Sequence, residues 1–227
     1  MKHFKNFKTC VYCTAQTLAS LDETTLARDY AYLEKYVGID KVYLETYRDG
    51  TWVAIDHMKM IQNFFKEHGV EIAGGITTVT PPLKKDDAKR QRLFQTFCYS
   101  NETMRTYLKK IVTYTAELFD EIILDDFFFT SCTCDDCLRE RSNLSWAEFR
   151  SNKMIDVAEN LVLKPAKLAN PSVKVTIKYP NWRESYHETG YVPKIQPSMF
   201  DKIYTGTETR NTAHTDQHLP RYLSYSI

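Results

Sequence analysis

The stretch Glu121-Ile122-Ile123-Leu124-Asp125-Asp126-Phe127 reads as an apolar strand that runs into two adjacent carboxylates. Three consecutive aliphatic residues leave neither strand face polar, as in a parallel strand covered on both sides. Working outward, five further β-rich runs (9–14, 41–46, 71–79, 173–179 and 202–205) alternate with helical patterns. Leu26, Tyr30, Leu33 and Val37 make one stripe at helical spacing; Met58, Ile61 and Phe65 make a second. Met104, Leu108, Ile111, Thr115 and Leu118 make a third. A fourth helix is predicted from about Ser145 to Lys164, with Ser145 as N-cap and Glu148 completing a capping box. Residues 181–197, rich in proline and aromatics, read as a long structured loop.

Strict strand–helix alternation implies right-handed βαβ units. Two α/β architectures accept it: a (β/α)8 TIM-type barrel and an open doubly wound parallel sheet. About six βα units fill the 227 residues, whereas a complete barrel takes about 250. The expectation is therefore one barrel domain over 1–227, incomplete at its C-terminal end. Its missing strands would come from the rest of a longer chain or from an oligomer. Cys13-Thr14-Ala15-Gln16-Thr17-Leu18 after the first strand lacks the glycines that a dinucleotide site needs. An aromatic content of 13% excludes intrinsic disorder. A balance of 30 Lys+Arg against 29 Asp+Glu argues against nucleic acid or an anionic membrane as partner. The basic start, Met1–Lys8, has no apolar segment behind it, so a soluble chain without an export signal is expected and no compartment is assigned.

In either architecture ligands bind at the C-terminal ends of the parallel strands. Those ends carry Glu45 and Arg48, Asp125 and Asp126, Lys178, Tyr179, Asn181 and Trp182, and finally Glu208 and Arg210. Asp125-Asp126 is the sharpest feature, because an apolar strand does not tolerate an unpaired charge. Alternation places one aspartate toward the barrel axis and the other toward the helices. Lys178 is positioned to pair with either one across neighbouring strands, and Arg48 offers Glu45 an ion pair. Tyr12, Tyr47, Trp52, Tyr179 and Trp182 form a set of rim aromatics suited to stacking on a sugar, with the polar groups left for its hydroxyls. His57 and His68 read as surface residues on a helix, and His214 and His218 as polar residues of a loop or helix.

Six cysteines are distributed unlike a disulfide framework. Cys132-x-Cys134-x-x-Cys137 crowds three thiols into one loop, and with Cys98 they are candidates for a structural zinc site. Three reduced thiols in a tight turn fit the same spacing. Cys10-x-x-Cys13 lies within a strand, which argues against a thioredoxin-type redox pair.

The segments 120–137 (DEIILDDFFFTSCTCDDC), 178–182 (KYPNW) and 204–210 (YTGTETR) resemble glycoside-hydrolase-like TIM-barrel proteins of bacteria. The resemblance implies a (β/α)8 barrel, carbohydrate as the ligand, and relatives that continue past residue 227. Glycoside hydrolysis needs two carboxyl groups. By analogy with α-galactosidase-type barrels, Asp125 or Asp126 would be nucleophile or base and Glu208 the acid, with no cofactor required for catalysis. Glu45, Arg48, Lys178, Tyr179, Asn181, Trp182 and Arg210 would bind substrate. A non-catalytic carbohydrate-binding or structural barrel is the competing class. A metal-dependent hydrolase built on Asp125, Asp126 and a histidine is the third.

Overall fold

A computed structural model describes residues 4–80, 92–180 and 185–205. Its strands are β1 (Cys10–Cys13), β2 (Lys41–Arg48), β3 (Thr51–Trp52), β4 (Glu71–Ile76), β5 (Glu121–Leu124), β6 (Lys174–Tyr179) and β7 (Lys202–Thr205). Except for β3, neighbouring strands pair in parallel, in the order β1-β2-β4-β5-β6-β7. The order never reverses, so there is no topological switch point of the kind a doubly wound sheet requires. The sheet is the curled wall of an incomplete (β/α)8-type barrel, and the open doubly wound alternative is ruled out. β3 turns back on β2 in a two-residue hairpin whose central residues, Asp49 and Gly50, have φ of 51° and 83°. Positive φ at both is what a primed hairpin turn needs.

Helices α1 (Ala15–Ser20) and α2 (Glu23–Tyr36) follow β1, α3 (Ile55–Glu67) follows β3, and α4 (Glu102–Leu118) precedes β5. They cover the outer face of the sheet. Leu26, Val42, Leu44, Met58, Ile61 and Phe65 are buried in one layer between sheet and helices. Leu108, Ile111, Ile122, Leu124, Val175 and Ile177 are buried in another. Residue by residue, β5 and β6 thus turn their even and odd members, respectively, toward the helices. That leaves Ile123, Thr176 and Lys178 for the barrel interior.

After β5 come α5 (Asp135–Arg141) and α6 (Trp146–Val157). Ser145 caps α6, and Glu148 completes the capping box as expected. The helical run does not stop at Lys164: a π-helical turn (Ala158–Leu163) leads into α7 (Lys164–Ala169), with Pro165 in its first turn. A proline removes an N–H and crowds the carbonyl four residues back, and the widened turn absorbs both. Residues 181–197, expected to be a loop, contain the short helix α8 (Tyr186–Thr189) and the start of α9 (Gln196–Met199). No helix among the described residues is long and apolar enough to cross a membrane.

Candidate functional site

The interior of the barrel wall is polar in layers. Near the N-terminal ends of the strands, Glu121 lies between Lys41 and Lys202, each 2.6 Å away. Burial raises the Glu121 pKa, but hydrogen bonds and charge from the two lysines outweigh it and hold the carboxyl below its ordinary 4.5.

At the opposite end, the mouth, a second and longer chain of charges runs across the sheet. Glu45 on β2 is fully buried. Its Oε1 accepts from the Tyr12 hydroxyl at 2.8 Å and from the Thr77 hydroxyl. Its Oε2 accepts from the Ala15 amide and from Arg48 Nε, both at 2.8 Å. Arg48 then reaches across to Asp125 Oδ2 at 2.9 Å. Lys178 Nζ closes the chain, 3.0 Å from Asp125 Oδ1 and 3.3 Å from Asp126 Oδ2. Charge alternates along the line Glu45, Arg48, Asp125, Lys178, Asp126.

Local irregularities in the strands bring these groups together. In a regular strand Glu45 and Arg48, three residues apart, would face opposite sides. Between Glu45 and Tyr47 the β2–β4 register shifts, so that Thr46 and Tyr47 together oppose the single residue Ile76. This β-bulge turns Thr46 and Tyr47 both outward. Thr46 bonds Thr115 of α4 at 2.6 Å, and Tyr47 packs in the helix-side core. Arg48 is thereby returned to the interior, the kind of re-aiming that bulges perform beside functional sites. Gly75 on β4 supplies room: a Cβ there would lie 2.7 Å from the Tyr12 hydroxyl oxygen, so only glycine lets Tyr12 reach Glu45 undisturbed.

Asp125 and Asp126 do not divide between interior and helices as alternation predicts. β5 ends at Leu124, and the Phe128 amide bonds the Asp125 carbonyl at 3.1 Å, closing a turn. In that turn both carboxylates meet Lys178. The Asp126 amide also donates to Asp125 Oδ1 at 2.9 Å, and the Tyr191 hydroxyl anchors the Asp126 carbonyl at 2.8 Å.

The electrostatics follow from this packing. Burial pushes the Asp125 carboxyl up, but the Lys178 charge and hydrogen bond, with the Asp126 amide, bring it below its ordinary 3.8. Asp125 is therefore a carboxylate at neutral pH. Burial disfavours the Arg48 cation, yet Glu45 and Asp125 more than restore it. Tyr12 is pushed well above 10 by burial and by the neighbouring Glu45 charge, so it serves as a hydrogen-bond donor and not as an acid.

The structure thus gathers Glu45, Arg48, Asp125, Asp126 and Lys178 over one mouth, and it adds Tyr12 and Thr77, with Tyr191 holding the Asp126 backbone from the helix-side core. Thr77 and Tyr191 went unselected in the sequence, since a threonine after an apolar strand and a tyrosine in a loop carry no signal of their own. Tyr179 is not at the mouth. As the neighbour of Lys178 on a regular strand it faces the helices, packed near Tyr186 and Tyr191, with its hydroxyl 3.3 Å from Gln196. Tyr47 and Trp52 also fail as a sugar platform. Tyr47 has no exposed surface, and the Trp52 indole donates to Tyr107 of α4 at 2.7 Å. His57 is half-buried and bonds the Leu18 carbonyl at 2.7 Å, and His68 bonds the Phe64 carbonyl at the exposed C-terminus of α3. Asn181, Trp182, Glu208, Arg210, His214 and His218 lie outside the described residues. A groove of 720 Å³ lined by Tyr30, Glu34, Tyr36, Phe64 and His68 lies on the outer helices and shares no residue with the mouth.

Beside the mouth, the Cys98, Cys132, Cys134 and Cys137 sulfurs lie within 4.8 Å of one another. The predicted fourth partner, Cys98, is therefore in place.

A family model described as "Probable glycosyl hydrolase, catalytic domain" matches residues 1–227. An uncharacterized protein of the archaeon Saccharolobus solfataricus is 34% identical over 230 residues. That match covers 91% of this chain but 38% of the relative, so the chain spans well under half of that protein's length. Among solved structures, a β-galactosidase from Rahnella sp. R3 superimposes with a TM-score of 0.63 at 11% identity, over 91% of this chain and 41% of the other. A GH113 β-1,4-mannanase gives a TM-score of 0.51 at 10% identity, over 96% and 67%. At such identities the two structures speak for the barrel fold alone. The archaeal relative takes the family beyond the bacterial group to which the sequence motifs pointed.

Proposed function

The chain belongs to the family of probable glycosyl hydrolase catalytic domains, and from that premise we propose that it contributes the mouth of a glycosidase that cleaves an O-glycosidic bond of a carbohydrate. Asp125 and Asp126 supply the anionic side of the reaction, as nucleophile, base or charge partner of the oxocarbenium-like transition state. Glu208 supplies the proton to the leaving oxygen. The observation that carries this reading is the state of Asp125. Arg48 and Lys178 hold it ionised from two sides at the C-terminal ends of the strands. A carboxyl held below its ordinary pKa is a poor general acid at neutral pH, which leaves that role to another group. Its fixed donors cost no reorganisation when charge develops on the sugar.

Saturation of the Asp125 and Glu45 oxygens by protein donors also favours a second reading, in which the network is a static frame and the barrel only binds sugar. Kinetics of the full-length protein on a panel of aryl glycosides separate the two. In the hydrolase, Asp125→Asn, Asp126→Asn and Glu208→Gln each lower kcat by at least about 100-fold while sugar binding persists. Sugar binding without turnover in the unsubstituted protein overturns the hydrolase and leaves the binding module.

A further inference from the structure

Among the described residues outside the mouth, the four-thiol cluster is the densest group of potential ligands. Its sulfurs come from two distant segments: Cys98 in the connection before α4, and Cys132, Cys134 and Cys137 in the β5–α5 loop and α5. The Cys98 sulfur is 3.6 Å from that of Cys134 and 3.7 Å from that of Cys137, and the Cys134–Cys137 separation is 3.8 Å. All the cysteines are free thiols. Disulfide sulfurs stand at about 2.05 Å. The corners of a tetrahedron drawn around an ion with metal–sulfur bonds of about 2.3 Å stand at about 3.8 Å. The observed separations match the second figure.

The surroundings fit a metal thiolate as well. Ser100 Oγ lies 3.4 Å from the Cys137 sulfur, placed to donate to a thiolate. Arg150 bonds the carbonyl of Ser131, the residue next to Cys132, at 3.2 Å. One cation nearby offsets part of the net double negative charge of a divalent ion with four thiolates.

The packing gives the cluster something to do. α5 has seven residues, too few to be stable by itself, and Cys137 is its one buried residue. The satellite core beneath it consists of the buried Cys98, Cys132, Cys137 and Phe149, with Met104, Cys134 and Trp146 packed partly buried against it. Four of its seven members are the thiols themselves, so the apolar area holding the helix and its loop comes from three other side chains. We infer that Cys98, Cys132, Cys134 and Cys137 bind one Zn2+ as a closed tetrathiolate site, and that this ion clamps α5 and the β5–α5 loop to the segment before α4. A four-sulfur tetrahedron suits zinc or iron among common ions. Zinc is assigned because the ion's task here is structural and calls for no redox chemistry. Binding displaces the thiol protons to solvent as four S–H groups become four Zn–S bonds, so affinity falls with acid. Nothing in this inference depends on the sugar-cleaving reading.

The test is elemental analysis of the full-length protein purified without chelators, expected at one zinc per chain. Cys98→Ser and Cys134→Ser each bring it below about 0.2, while Cys10→Ser/Cys13→Ser leaves it at one. Because ligand variants can misfold, a second measurement uses the unsubstituted protein. Zinc is released by a thiol-modifying mercurial, and cleavage of the 131–145 region by a nonspecific protease is followed before release and after thiol regeneration with added Zn2+. The clamp predicts at least a tenfold faster cleavage on release and recovery on re-addition. Replacement by Co2+ gives the visible absorption of tetrahedral thiolate coordination. Metal-free protein in which all four thiols react rapidly with a disulfide reagent, or stoichiometric iron in place of zinc, overturns the assignment. Zinc bound without any change in cleavage overturns the clamp.

Discussion

Replacing Lys178 with methionine removes one ammonium while keeping most of the side-chain volume, and it probes the centre of the charge chain at the mouth. The nitrogen lies 3.0 Å from Asp125 and 3.3 Å from Asp126, with side-chain exposures of 19%, 11% and 4% for the lysine and the two aspartates. At an effective dielectric of about 20, each contact is worth about 5 kcal/mol of gross attraction, most of which offsets desolvation. What the substitution exposes is the cost of breaking a buried pair, about 3–5 kcal/mol. Arg48 still neutralises Asp125 from its other side at 2.9 Å, so the lower end, about 3 kcal/mol, is expected at pH 7. Losing the Lys178 cation raises the Asp125 carboxyl relative to the unsubstituted protein, so the deficit should shrink as the pH is lowered. Adding Asp126→Asn to Lys178→Met removes a carboxylate whose contact with Lys178 is already gone. The double-mutant cycle should then return a coupling of about 1–3 kcal/mol. Urea unfolding of the four proteins at pH 7 and pH 4.5 measures all of this. A loss below about 1 kcal/mol at pH 7, unchanged at pH 4.5 and with no coupling to Asp126, would mean that the lysine does not hold the pair, and the charge-chain argument would fail with it.

Three further outcomes follow from the same packing. Gly75→Ala places a methyl against the Tyr12 hydroxyl and ring and should lower stability by about 1–3 kcal/mol; Tyr12→Phe should cost less in that background than in the unsubstituted protein, and strictly additive losses would refute the contact. Asp125 and Glu121 both have folded-state pKa values below their unfolded ones. Their stabilisation is therefore complete above the unfolded values and lost as pH falls through the folded ones, so the urea midpoint should be level above about pH 5 and decline below about pH 4. In Glu121→Gln that decline should be shallower, and an unchanged slope would sink the claim. Ser145→Ala removes the α6 cap and should cost about 1 kcal/mol in thermal or urea unfolding; an unchanged midpoint would contradict the cap.

The parts of the fold that were legible in the sequence depend on short-range physics. Ile122-Ile123-Leu124 announces a strand covered on both faces, Lys202–Thr205 was bounded as found, and the Ser145/Glu148 box marks a helix start from side-chain chemistry three residues apart. The Lys178–aspartate contact was readable for a similar reason, since consecutive parallel strands put their C-terminal ends side by side. Tyr179 was misplaced although period-2 alternation already assigns it to the face opposite Lys178. The β2 bulge was not readable at all. It exists only in the register between β2 and β4, and no residue in Glu45-Thr46-Tyr47-Arg48 marks it. The same holds for the turn that brings Asp126 round to Lys178, which depends on where β5 stops pairing.

These irregularities bear on how a barrel interior can carry so many charges. A wall of strands with perfect alternation would leave Arg48 among the helices and Glu45 buried without it, and Asp126 would point away from Lys178. Each of those losses strands a carboxylate in a poorly solvated place, where an unpaired charge is expensive. One bulge and one early strand end put Arg48 and Lys178 between the acids; Glu45–Arg48 lies within β2, and each of the other oppositely charged pairs in the line joins a strand to the turn after β5. The network therefore ties β2, β5 and β6 together at the mouth, as Lys41, Glu121 and Lys202 tie β2, β5 and β7 at the other end. Because each charge is already solvated by its neighbours, any ligand entering the mouth meets dipoles and charges fixed in advance, which is the condition that the proposed electrostatic catalysis requires.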